Sequence, residues 1–345
     1  MTRLNKSDKI WKLAKDLEIR TVNNPVSDIL NFCEKRIKKM LKEATDCHSL
    51  SDFLEWIAAK LDTSFEEIHS DSDLEQIKTK YLKQGEKIFV TLDKELSEEV
   101  PGITYKRSNK EPWERLFVSI IDYRGKNARK AYYTKWHELA HLLILTDQSR
   151  LCFRRTLHLS EKDPEEVMID IIAGKFGFYD PFIKPYIKGE ISFEQIDSLK
   201  QSICPDASNQ SSLIGFAKAW PEPCILLLCK AGLKKSEIRQ ARQTSFFDTL
   251  PVPVLRAVKV TANEPAKEMD ITIFENMRVP EHSIIHAVHN GETDYAEAME
   301  DLSWWKTSSG DVLPKQNILI KAKNYWGDTY ALIIPQFHKA KSFKH

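Results

Sequence analysis

Glycine is scarce in this chain, 11 of 345 residues. With Lys, Glu and Leu abundant, that scarcity favours helix. Long apolar runs are missing too. The longest, such as CILLLC (Cys224–Cys229), fall far short of the ~20 residues a bilayer requires. The opening MTRLNKSDKIWKLAKDLEIR holds no apolar stretch of the kind a secretory signal needs. Six cysteines (Cys33, Cys47, Cys152, Cys204, Cys224, Cys229) show neither a C-x-x-C pair nor regular spacing, so a reducing cytoplasm is the expected location. Charge of one sign is absent: 51 Lys and Arg against 50 Asp and Glu leave a formal net charge of +1. That gives no global sign of nucleic-acid binding and is compatible with a local patch only.

What is present reads as an ordinary globular protein of two or more domains. Residues 1–84 have helical periodicity. In VSDILNFCEKRIKKMLKEA, one stripe carries Ile29, Phe32, Cys33, Ile37, Met40 and Leu41. Lys35, Arg36, Lys38, Lys39 and Lys42 occupy the other face, which reads as solvated rather than as a nucleic-acid patch. After Gly85 the period changes, and KIFVTLD and ERLFVSIIDYRG read as strands. A helix over 130–145 follows, then a loop, then a helix capped by Asp163 with Pro164 at its first position. Helices are expected to continue to about 245. Beyond DTLPVPVLRAVKV the chain alternates at period two in VLRAVKV, MDITIF, SIIHAVH, NILIKAK and TYALIIP, which predicts five strands. The expectation is an α+β protein. It has an N-terminal helical region (1–84) packed on a mainly helical domain with a small sheet (85–250), and a β-rich C-terminal domain (251–345).

The helix over 130–145 carries HELAH. On a helix, His137 and His141 project from one face and can take two corners of a Zn²⁺ tetrahedron. Glu138 is badly placed to ligate but well placed to hold an attacking water. A catalytic zinc needs a third protein ligand and an open position. The metzincin continuation fails, because Ile144 stands at its glycine and Asp147 at its last histidine. His158 on the following loop is one candidate. Glu166 on the next helix is the better one, with Glu165 as the neighbour that could be confused with it. Asp170 follows one turn later on the same face. This E-x-x-x-D arrangement resembles the gluzincin layout, which implies that Glu166 ligates zinc and Asp170 orients an imidazole, that of His137.

Tyr133-Thr134 before HELAH, and Glu166-Val-Met-Ile-Asp170-Ile-Ile172-Ala173 after it, together resemble the ImmA/IrrE metallopeptidase family. The match departs from the family at Asp170, often Asn there, and at Ile169, often Ala. It covers roughly residues 85–250. It implies a zincin-like zinc endopeptidase acting on few substrates, usually helix-turn-helix transcriptional repressors, with a GAF-like or other β-rich sensor domain after it. Cys152, in RLCFRRT, makes the chain similar to the regulatory peptidases of CBASS anti-phage operons. That likeness implies activation by single-stranded DNA and a cysteine thiolate that ligates the zinc and blocks the open position. The plain alternative for Cys152 is a half-buried small hydrophobe. Two other features stay open. Tyr132 and Tyr133 lie close enough in sequence to stabilise an oxyanion. Lys315, Lys321, Lys323, Tyr325 and Trp326, with Trp304-Trp305, read as core aromatics beside solvated lysines in preference to a single-strand platform.

Overall fold

The computed structural model describes residues 4–44, 46–146, 152–155, 163–243, 251–269, 271–307, 310–325 and 327–336. These form an α+β fold of two compact units, Met1–Phe182 with Leu199–Gly215, and Ile183–Ser198 with Phe216–His345. No helix of the described residues is long and apolar enough to cross a membrane.

The first unit contains helices α1 (Asp8–Asp16), α2 (Pro25–Leu41), α3 (Leu50–Lys60), α4 (Asp71–Lys83), α5 (Leu92–Glu95), α6 (Ala131–Leu143) and α7 (Pro164–Gly177). Its strands are β1 (Thr63–Ile68), β2 (Gly102–Lys106), β3 (Phe117–Asp122) and β4 (Cys152–Arg155), in the sheet order β1-β3-β2-β4. β1 runs parallel to β3, and β2 runs antiparallel to both β3 and β4. Local sequence sets the helix starts. Ser49 and Ser70 each accept a backbone N–H three residues on, and Asp52 and Asp73 reciprocate, closing two capping boxes.

Strand alternation gives the sheet two unlike faces. Ile103 and Tyr105 of β2 and Val118 and Ile120 of β3 join an apolar cluster with Leu74, Ile77, Tyr81 and Phe89. The opposite face carries Gly102, Thr104 and Ser119, and α6 lies against it. A Cβ on Gly102 would sit 2.4 Å from Thr134 Cγ2 and 3.0 Å from Glu138 Oε1, so only glycine fits there.

α6 is buried nearly all round, which explains why its own amphipathic signal is weak. Trp136 packs on Phe53 with ring centroids 5.0 Å apart. Two phenols rivet α6 to α7: Tyr132 Oη donates to Gly177 O at 2.6 Å and Tyr133 Oη to Asp170 O at 2.6 Å. At the C-terminal end, Arg36 Nη1 donates to Leu143 O at 2.6 Å and supplies positive charge where the helix dipole is negative. Arg36 therefore leaves the solvated basic stripe and serves the core helix.

The second unit is built on an antiparallel sheet of β5 (Ile225–Gly232), β6 (Val254–Ala262), β7 (Tyr295–Asp301), β8 (Asn317–Tyr325) and β9 (Asp328–Pro335). Its order is β6-β5-β9-β8-β7. One face buries Leu227, Ala257, Ile318, Ile320 and Ile333 with Ile285, Val288 and Trp305.

Several sequence expectations are corrected. β1, inside the expected helical region 1–84, is a strand of the first sheet, and among the described residues 183–198 and 216–243 group with the C-terminal sheet. CILLLC is not part of a run of helices to 245. It forms most of β5, whose first five residues are buried on both faces, so its apolar run lacks the period that marks a strand. KIFVTLD is a 3₁₀ turn leading into α5, because Phe89 and Leu92, three apart, are the residues that reach the core. SIIHAVH is a short helix, Ile284–His289, capped by Ser283 and burying Ile285 and Val288. MDITIF contributes no strand among its described residues. Cys152 lies on β4, opposite Tyr105 of β2, rather than on a loop.

Candidate metal centre

α6 and α7 bring His137, His141 and Glu166 together, with one donor atom of each within 4.8 Å of the others. His137 Nε2 lies 3.2 Å from Glu166 Oε2, and His141 Nε2 lies 3.6 Å from Glu166 Oε1. Ligands held at about 2.0–2.2 Å around a tetrahedral ion stand about 3.3–3.6 Å apart. The observed separations lie close to that edge. The two rings are 5.0 Å apart at a 72° tilt, as four-residue spacing on one helix requires. Glu165, the sequence neighbour of Glu166, is exposed and outside the cluster.

The tautomer of His137 follows from its other nitrogen. Nδ1 lies 3.1 Å from Asp170 Oδ1, and a carboxylate only accepts, so Nδ1 carries the proton. Nε2 then turns its lone pair toward Glu166. A proton placed there could serve one such contact, but a second imidazole is aimed at the same carboxylate. A cation shared by all three relieves the set, and the N, N, O donors suit zinc. The site thus fits a metal of the expected class.

Glu138, on the same helix, reaches the sheet beneath α6. It is fully buried, and its Oε2 accepts from Thr104 Oγ1 at 2.7 Å. Thr104 Oγ1 is in turn 2.7 Å from Ser119 Oγ, which is 3.3 Å from Thr63 Oγ1. Sequence reasoning missed this row. Its signal was the G-x-T of β2, polar and small where Ile103 and Tyr105 alternate with it, but strand β2 itself went unread.

The remaining candidates fall elsewhere. The Tyr132 and Tyr133 hydroxyls donate to backbone carbonyls of α7, which occupies them structurally. His158 and Trp326 lie outside the described residues, as does the side chain of Cys152. In the second unit, Lys321 pairs with Glu190 at 2.7 Å and Lys323 with Asp197 at 3.2 Å, while Tyr325 Oη donates to Asp197 at 2.9 Å. Lys321 is 7% exposed, so it and Lys323 neutralise neighbouring acids instead of forming an open basic platform. No family model matches the chain, and no curated protein matches it either.

Proposed function

We propose that the chain is a zinc-dependent endopeptidase of the ImmA/IrrE kind. The observation that supports this best is the convergence of His137, His141 and Glu166, with Glu138 on the residue after the first ligand. When bound, zinc supplies Lewis-acid chemistry that acidifies water and polarises a carbonyl. The protein's own groups carry the rest. Asp170 fixes the ring of His137 and its tautomer. Glu138 accepts a proton from the attacking water as the water oxygen bonds to the scissile carbonyl carbon. The C–N bond then breaks, and Glu138 passes the proton to the leaving amine. A purely structural metal site has no use for a buried carboxylate beside its ligands, which favours catalysis over a non-catalytic role.

The substrate class comes from the resemblance: a helix-turn-helix transcriptional repressor, cut to derepress a defence or stress operon in the cytoplasm. So does the activator, single-stranded DNA, sensed by the C-terminal unit. That unit's five-stranded antiparallel sheet is in keeping with a GAF-like sensor. The resemblance also implies that Cys152 restrains the resting enzyme by offering its thiolate to the metal; the register that pairs it with Tyr105 sets its position on the sheet face away from α6, so this restraint requires β4 to shift. The test is incubation of the zinc-loaded protein with the helix-turn-helix protein encoded beside it, with and without single-stranded DNA. The reading expects one discrete cut that appears with DNA and is absent in Glu138→Gln. An intact repressor under all conditions would remove this substrate class.

A further inference from the structure

Three buried hydroxyls cross the sheet beneath α6 in one row. Thr63, Ser119 and Thr104 are 2%, 0% and 0% exposed, and the row ends on Glu138, also 0% exposed. Thr104 and Ser119 are directly paired across β2 and β3. Burying hydroxyls where valine would fit is unfavourable unless each finds a partner. On the other face of these strands the corresponding positions are Ile103, Tyr105, Val118 and Ile120. The short hydroxyl side chains of β2 and β3 thus lie on the side that faces Glu138.

The directions of these bonds follow from proton counting. A carboxylate only accepts, so the one hydroxyl proton of Thr104 goes to Glu138 Oε2. Thr104 must then accept from Ser119, whose proton is used in that bond. Ser119 in turn accepts from Thr63. The whole row donates toward Glu138, and such chains strengthen each bond along them. Gly102, two residues before Thr104, acts on the other oxygen: any side chain there would begin 3.0 Å from Oε1.

We propose that β2 orients the general base. Thr104, backed by Ser119 and Thr63, holds Glu138 Oε2, while Gly102 keeps the space beside Oε1 clear, so that Oε1 is the oxygen that takes the water's proton. Thr104 and Ser119 are positioning residues in this scheme, since they act through Glu138. The inference rests on Glu138 being the base.

The test compares Thr104→Val, which keeps the shape and loses the hydroxyl, with Thr104→Ser, which keeps the hydroxyl. Ser119→Ala removes the bond behind Thr104 without touching Glu138, and it serves should Thr104→Val fail to fold. Infrared spectra of the metal-free proteins identify the Glu138 carboxylate band by its loss in Glu138→Gln. Thr104→Val should shift that band, Ser119→Ala should shift it less, and Thr104→Ser should leave it in place. With zinc loaded, single-stranded DNA present, and a fluorogenic form of the fastest-cut peptide of a peptide library as probe, Thr104→Val should lower kcat roughly 10- to 100-fold at unchanged KM and zinc content. Thr104→Ser should restore it. If the wild type cuts peptides and Thr104→Val matches it, or if the valine and serine variants behave alike, the positioning role is overturned and the peptidase reading stands. If the fully zinc-loaded wild type cuts nothing with single-stranded DNA present, and zinc-loaded Cys152→Ser cuts nothing without it, the peptidase reading falls, and this inference falls with it.

Discussion

His137 Nδ1 and Asp170 Oδ1 lie 3.1 Å apart across the α6–α7 interface, and this contact turns Nε2 of the same ring toward Glu166. Partners that orient metal-bound histidines typically contribute about 10- to 100-fold to affinity. Asp170→Asn is therefore expected to weaken zinc binding by roughly that factor, measured by competition with a chromophoric chelator. Glu166→Gln should weaken it further, because a ligand itself is lost. Unchanged zinc affinity in Glu166→Gln would remove the third ligand from the scheme.

Arg36 is expected to stabilise the end of α6. Arg36→Met keeps the aliphatic stem and removes the charged bond to Leu143 O. A hydrogen bond from a charged group contributes about 1.5–3 kcal/mol, and partial exposure places this one near the lower end, at about 1–2 kcal/mol. The urea midpoint should fall with the slope unchanged, and hydrogen exchange at the last turn of α6 should speed up. Unaltered exchange there would show that Arg36 does not cap this helix.

Glu300 predicts a pH effect. Burial pushes its carboxyl above the ordinary value, although its Oε1 accepts from Ile284 N at 2.8 Å. A carboxyl whose folded pKa is raised gives stability below its unfolded value of about 4.3 and loses it as pH rises through the folded value. Glutamine carries no charge at any pH. Glu300→Gln should thus raise the melting temperature of the second unit at pH 7–8, and the advantage should vanish as pH falls to about 4. An advantage that stays constant with pH would mean that the carboxyl is not penalised by burial.

The candidate site was legible because its parts are local. His137, Glu138 and His141 share one helix, and Glu166 and Asp170 share a second whose start Asp163-Pro164 announces. Helical spacing alone sets each group's geometry, and only the meeting of the two helices was left to the fold. Thr104 was not legible, because its role needs the pairing of β2 with β3 and the approach of α6, none of which a local pattern encodes. The same physics explains the missed elements. Ile225–Cys229 of β5 are buried on both faces and show no alternation, whereas Ile285 and Val288 sit in an apparent alternation but point inward at helical spacing. β7 alternates Ala296 and Ala298 with Glu297 and the exposed Tyr295 and Met299, so no buried apolar period marks it.

Cys152→Ser tests the proposed restraint. The backbone of β4 sets this residue opposite Tyr105, in the strand beside β2. Serine is a far poorer zinc ligand than a thiolate, so the variant should cut the repressor without single-stranded DNA while the wild type requires it. Equal dependence on DNA in both proteins would refute the cysteine switch and leave the peptidase assignment untouched.

The most direct measurement of the central claim is peptide cleavage by Glu138→Gln and wild type, each loaded with one zinc per chain and supplied with single-stranded DNA. Glutamine keeps the shape of the side chain and can still accept the hydroxyl of Thr104, but it cannot take a proton from water. New termini in a peptide library, read by mass spectrometry, should appear with the wild type and fall at least about 100-fold in the variant at equal zinc content. Comparable cleavage by the two zinc-loaded proteins would contradict the account.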